Sequence, residues 1–173
     1  MLVARALGWA SFVAAVAAIH AGPSWAATAT ADLKGKATAS VSVSSAAAGV
    51  IVTVKAEGLS PGPHAIRFHE TGKCEGDFSS AGGIFNPLGA EHGLLNEMGP
   101  MAGELPNIVA GSDGKAEAEI LSPFVRLGKE DDATLDDDDG TAVLIFEKAD
   151  DHLTGPDGGA GAPVACGILT FAP

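Results

Sequence analysis

The sequence predicts an all-β domain behind an export leader, and three observations carry that prediction. Short runs alternate apolar with small polar residues, which is the period of a pleated strand with one buried face. Between the runs stand dense Gly and Pro clusters, drawn from 23 glycines and 10 prolines in 173 residues. No long segment repeats apolar residues at the helical period, so many short punctuated strands point to a sandwich or closed barrel.

Residues 1–26 read as the leader: Arg5 precedes an alanine-rich apolar run that closes with Ser24-Trp25-Ala26, the order of a secretory signal peptide. His20, Gly22 and Pro23 interrupt the run before it reaches the ~20 apolar residues of a spanning helix, and no later segment approaches that length, so no membrane span is expected after cleavage. Residues 27–173 suffice for one domain and are too few for two of ordinary size.

Within that domain, Ala37 to Ser44 and Val50 to Ala56 alternate as neighbouring antiparallel strands, with the small residues Ser45 to Gly49 between them. The cluster Gly58-Leu59-Ser60-Pro61-Gly62-Pro63 demands a reversal. Further strands are expected at His64 to Glu70, Gly114 to Ile120, Thr141 to Lys148 and Ala165 to Phe171. Two long stretches, Thr71 to Val109 and Asp150 to Val164, break the rhythm, and loops of such length in a compact domain usually carry function or once did. The run Glu130 to Asp139 is acidic without a base and reads as a solvated, mobile turn, since it lacks the ligand spacing of a calcium loop.

The formal net charge is -12, and one unit more negative without the leader, which carries Arg5 and no acid. An anionic domain of this kind is a poor partner for nucleic acid. No nucleophile, base and orienting group occur at recognisable spacing, and no phosphate-cradling glycine loop opens a helix. Two cysteines, Cys74 and Cys166, lie far apart. An exported destination makes one long-range disulfide the economical reading, with two ligands or two free thiols as the alternatives.

Four ordered segments then carry a resemblance. They are Gly58-Leu59-Ser60-Pro61-Gly62-Pro63-His64-Ala65-Ile66-Arg67-Phe68-His69-Glu70; Ser80-Ala81-Gly82-Gly83-Ile84-Phe85-Asn86-Pro87 with Glu91-His92-Gly93; Gly103-Glu104-Leu105-Pro106-Asn107; and Phe146-Glu147-Lys148-Ala149-Asp150-Asp151 with Ala165-Cys166-Gly167-Ile168. Together they resemble the copper/zinc superoxide dismutases of the bacterial secreted type. The resemblance implies an eight-stranded Greek-key β-barrel or sandwich with two long loops, a disulfide between Cys74 and Cys166, and a periplasmic destination.

It also implies where metals would sit, and there the chain departs from the family. The copper-binding positions fall on Arg67, His69, Ile84 and Phe146, and the zinc-binding positions on Ile84, His92, Met101 and Glu104. Only His69, His92 and Glu104 remain as ligand types, while Ile84 and Phe146 are hydrocarbon and donate nothing. Asp150 matches a carboxylate that hydrogen-bonds histidines of both metal sites. Pro163 stands where the family places an arginine that attracts superoxide. His64 matches a structural histidine, and His152 reads as a solvated loop residue.

Three expectations follow. The first is a dismutase-like module without catalysis, holding no metal cofactor and serving an unidentified protein or small ligand. In it, Arg67 pairs with Glu104 or Asp150 in place of metal-centred organisation. The second is a periplasmic Cu(I)-binding protein using Met98 and Met101 with His92 and His69, since thioether and imidazole suit that ion. The third is residual dismutase activity at a rearranged copper or zinc site. Assembly as a homodimer is left open.

Overall fold

The computed structural model describes residues 27–129 and 133–172; residues 1–26, where an export leader is expected, the Glu130–Asp132 part of the acidic run and Pro173 lie outside the described residues. Among the described residues there are ten strands: β1 (Thr28–Gly35), β2 (Thr38–Ala46), β3 (Gly49–Glu57), β4 (Gly62–His64), β5 (Ile66–His69), β6 (Ile108–Ala110), β7 (Ala116–Ser122), β8 (Ala142–Phe146), β9 (Pro163–Ile168) and β10 (Thr170–Phe171). Among the described residues one 3-10 turn spans Ser79–Ala81. The strands form one curled eight-stranded antiparallel sheet, ordered β5-β8-β9-β1-β2-β3-β7 with β10 also on β1, and a small β4-β6 pair.

The predicted neighbours β2 and β3 pair in register from Thr38 opposite Glu57 to Ala46 opposite Gly49. Their two-residue turn depends on Gly49, whose φ is 136° and whose added Cβ would collide with the Ser122 carbonyl oxygen; only glycine takes that backbone and that approach. β1 was not among the expected strands. Its inward residues are Ala29, Ala31 and Leu33, each at most 4% exposed, an alternation carried mostly by methyl groups, and the expected first strand began beyond it.

Alternation fills the inside of the curl. Val41 and Val43 of β2 face Val50, Val52 and Val54 of β3 in one continuous core with Leu33, Ile66, Phe68, Leu105, Ile108 and Val143. Burial of each such aliphatic side chain contributes about 1.5–3 kcal/mol before chain entropy is counted. β8 and its neighbour β5 differ from the other strands, because every residue of both is buried. The outer face of β8, with Ala142, Leu144 and Phe146, joins Ala65, Ala81, Ala160 and Cys166 in a second small apolar cluster, so the long loops are folded back over this side of the sheet.

The described part of the acidic run, residues 133–139, is more anchored than a free turn. Leu135 is fully buried, its backbone N–H donates to the Arg126 carbonyl, and its carbonyl accepts from the Thr141 hydroxyl. One leucine among the acids supplies the burial that holds the turn against the core, while Asp138 and Asp139 stay exposed.

Candidate functional site

The covered side of β5 and β8 is where the expected site residues meet. Arg67 and His69 lie two apart on β5 and therefore project to the same face. Opposite them stands Phe146 at the end of β8, and both side chains pack on its ring. The Arg67 guanidinium carbon lies 4.7 Å from the ring centroid, and the His69 ring stacks at 5.9 Å and 26°. Ile84 enters beside His69 through an isolated backbone bridge.

Arg67 is 2% exposed, and a guanidinium cannot shed its charge at that depth. Its Nη2 donates to Asp150 Oδ2 at 2.6 Å and to the Asp157 carbonyl at 2.7 Å. Of the two expected partners, Asp150 therefore takes the side chain. Glu104 meets Arg67 only through an isolated backbone bridge.

Asp150 is the centre of the arrangement. Its Oδ1 accepts the His152 backbone N–H at 2.7 Å and lies 3.1 Å from His92 Nε2. Burial alone would raise its pKa, but the His152 N–H and the Arg67 hydrogen bond and charge together hold it below the ordinary carboxylate value. His92 Nδ1 contacts Glu104 Oε1. Glu104 in turn accepts the Gly93 N–H at 3.0 Å on both oxygens and the Met101 N–H at 3.1 Å. The side chains of Arg67, His92, Glu104 and Asp150 are all about 2% exposed, so four ionisable groups form one buried chain.

Gly158 closes this chain from the loop side. At φ 57° it brings backbone so near that an added Cβ would overlap Asp150 Oδ1 and sit 2.9 Å from His92 Nε2. Asn107 ties the same loop to β6, donating to the Asp150 carbonyl at 2.8 Å and accepting the Asp150 N–H at 2.9 Å. Its amide also lies 3.1 Å from His152 Nε2. His152 is thus a half-buried part of the network rather than the solvated residue expected. Its role was hidden because it depends on a loop conformation, φ 59°, that residue spacing does not disclose. Asn107 stood inside a recognised segment, but nothing in the sequence singled it out from its neighbours.

His69 keeps a ligand-ready form. Its Nδ1 donates to the Gly82 carbonyl at 2.9 Å, which leaves the lone pair on Nε2, and that buried nitrogen has no hydrogen-bond partner. Burial, outweighing the Gly82 bond, lowers the His69 pKa, and Arg67 lowers it further, which favours the neutral ring. Among the described residues the one group of three or more converging potential metal ligands is His92, Glu104 and Asp150, whose donor atoms lie within 4.8 Å of one another; His69 is outside it.

The remaining expected residues are placed as follows. Met98 is 67% exposed at the loop surface, and Met101 is half-buried next to the Glu104 carboxylate it donates to. His64 is structural, with Nδ1 2.7 Å from the Phe146 carbonyl and Nε2 2.8 Å from the Ser60 carbonyl. Cys74 and Cys166 form a disulfide, with Cα atoms 5.8 Å apart, joining the loop after β5 to β9. No helix among the described residues is long and apolar enough to cross a membrane.

Comparison with known proteins gives this architecture its family. The model of the copper/zinc superoxide dismutases matches residues 33–169. A copper-zinc superoxide dismutase of Caulobacter vibrioides is 47% identical over 124 residues, covering 70% of this chain and 71% of the relative. A superoxide dismutase-like protein of Bacillus subtilis is 45% identical over 124 residues, and the match spans only 63% of that relative's length. A crystal structure of a superoxide dismutase-like protein from Bacillus subtilis superposes with a TM-score of 0.78 at 39% identity, over 82% of this chain and 97% of the other. The ordered segments, the curled sheet and these matches agree, and the chain belongs to the copper/zinc superoxide dismutase family.

Proposed function

We propose that the protein is an exported dismutase-like module that does not catalyse dismutation. One observation carries the reading: the buried Arg67 guanidinium, paired with Asp150 and stacked on Phe146, stands at the strand position the family gives to a copper histidine. Identity to relatives does not decide the matter, because one relative is named a dismutase and another dismutase-like at nearly equal identity. The side chains around the site are what support the reading.

Copper does not fit them. Dismutation cycles an electron on and off copper, and the ion needs several nitrogen donors. His69 Nε2 is such a donor, but its neighbours are a fixed cation, the Ile84 side chain and a phenyl ring, and rotating them cannot create lone pairs. The long-range disulfide supports export to an oxidising compartment, as does the leader read in residues 1–26.

Elemental analysis of protein purified from the exported fraction, run beside a superoxide-consumption assay, tests this directly. The expected result is chain beginning near Ala27 by mass spectrometry, with neither stoichiometric copper nor fast turnover. One copper per chain with rapid superoxide loss would overturn the reading.

A further inference from the structure

We propose that Arg67 acts as a tethered cation that closes a latent divalent-metal site made of His92, Glu104 and Asp150. The inference rests on the reading of a copper-free module and concerns the same buried cluster, but it assigns new roles to Arg67 and Asp150. In the family pattern the Asp150 position orients histidines; here its carboxylate becomes a ligand once Arg67 is removed.

The charges make the argument. Among Arg67, Glu104 and Asp150 two carboxylates face one guanidinium, all with side chains about 2% exposed. Uncompensated charge at such depth is costly, so the guanidinium is the cation that makes Asp150 tolerable. Without it the cluster keeps two buried negative charges and one imidazole, which is the charge and donor chemistry a zinc ion takes from His, Glu and Asp.

Geometry agrees with competition rather than coexistence. One donor atom from each of the three residues already lies within 4.8 Å of the others. Zinc bonds of about 2.0–2.2 Å require those atoms to draw closer together. Asp150 Oδ2 is pinned by Arg67 at 2.6 Å, and Arg67 is pinned in turn by the Asp157 carbonyl and the Phe146 ring. Glu104 meets His92 at Nδ1 and Asp150 meets it at Nε2, so a metal on one ring nitrogen needs one carboxylate to swing round the ring. Losing the guanidinium releases Asp150 Oδ2 for that movement while Oδ1 still accepts the His152 N–H. Glu104, held by the Gly93 and Met101 N–H groups, is already oriented toward His92.

The test titrates zinc, and cobalt as its visible-spectrum substitute, into the full exported chain and its R67M variant. Arg67→Met preserves length and removes the charge. R67M is expected to take up one ion per chain, with affinity raised on the order of 100-fold over the parent, a tetrahedral cobalt spectrum and a metal-dependent rise in melting temperature. Adding Asp150→Asn should abolish all three, whereas Arg67→Lys, which keeps a cation, should not gain them.

If R67M does not fold alone, zinc must restore its folding, and failure of that rescue overturns the proposal. A folded R67M that binds no better than the parent also overturns it. Zinc binding equally by the parent and R67M would remove the closing role of Arg67. Copper uptake with turnover by the parent would instead overturn the copper-free reading, so the two failures are distinguishable.

Discussion

The inside of the curl and its covered outer side are stabilised by opposite means. Inside, Val41, Val52, Phe68 and their neighbours are interchangeable hydrocarbon whose energy scales with area removed from water. Outside, Arg67, His92, Glu104 and Asp150 are charged groups whose burial costs several kcal/mol each unless every partner is in place. The inner core tolerates substitution in proportion to lost volume. The buried chain of charges is all-or-none at each link, so a change of a few atoms there can rival the loss of a whole core side chain.

The largest expected effect comes from the core. Phe68 is fully buried between the strands, and Phe68→Ala should lower stability by about 4 kcal/mol through lost transfer energy and a cavity. Denaturant unfolding measures it, and a loss below about 1 kcal/mol would mean that the core collapses around the gap. That loss should be the same with or without added metal.

Next in size is the site. Arg67→Met should cost about 3 kcal/mol, because it leaves Asp150 buried beside His92 without its guanidinium. Pairing it with Asp150→Asn in a double-mutant cycle should return a coupling of about 2 kcal/mol. Additive losses would show that the two side chains merely coexist, and the comparison of core with site would lose its basis.

These regions were also unequally legible in the sequence. β2 and β3 could be read because a pleat imposes a period of two on local residues, and Val41-Ser42-Val43 or Val52-Thr53-Val54 display it. β1 carries the same period in alanine, whose contrast with threonine is weak. β4 and β6, three residues each, are too short for any period and exist only as a pair. At the site, residue identities came from ordered segments, and Arg67 with Asp150 was among the pairs expected. The Asp157 carbonyl, the His152 N–H and the approach of Gly158 belong to loop backbone, whose path is set by the contacts themselves and leaves no spacing to read.

The smallest effect separates two adjacent carboxylates of that loop. Asp150 owes its lowered pKa partly to a cation, whereas exposed Asp151 is held down to about 2 first by the Thr154 hydroxyl, then by the Thr154 and Leu153 N–H groups. Those bonds measure 2.6, 2.8 and 2.9 Å. A carboxylate with a depressed folded pKa contributes stability that is fully present above its ordinary 3.8 and is lost as pH falls through about 2. The Asp151 carboxyl carbon resonance should therefore titrate near 2 and barely respond to salt, because neutral donors are not screened as charges are. Thr154→Ala should move that midpoint back toward the ordinary value while leaving the Arg67–Asp150 pair intact. An unmoved midpoint would assign the depression to the charged chain behind Asp151, and the loop would then be held by the cluster's field rather than by its own turn.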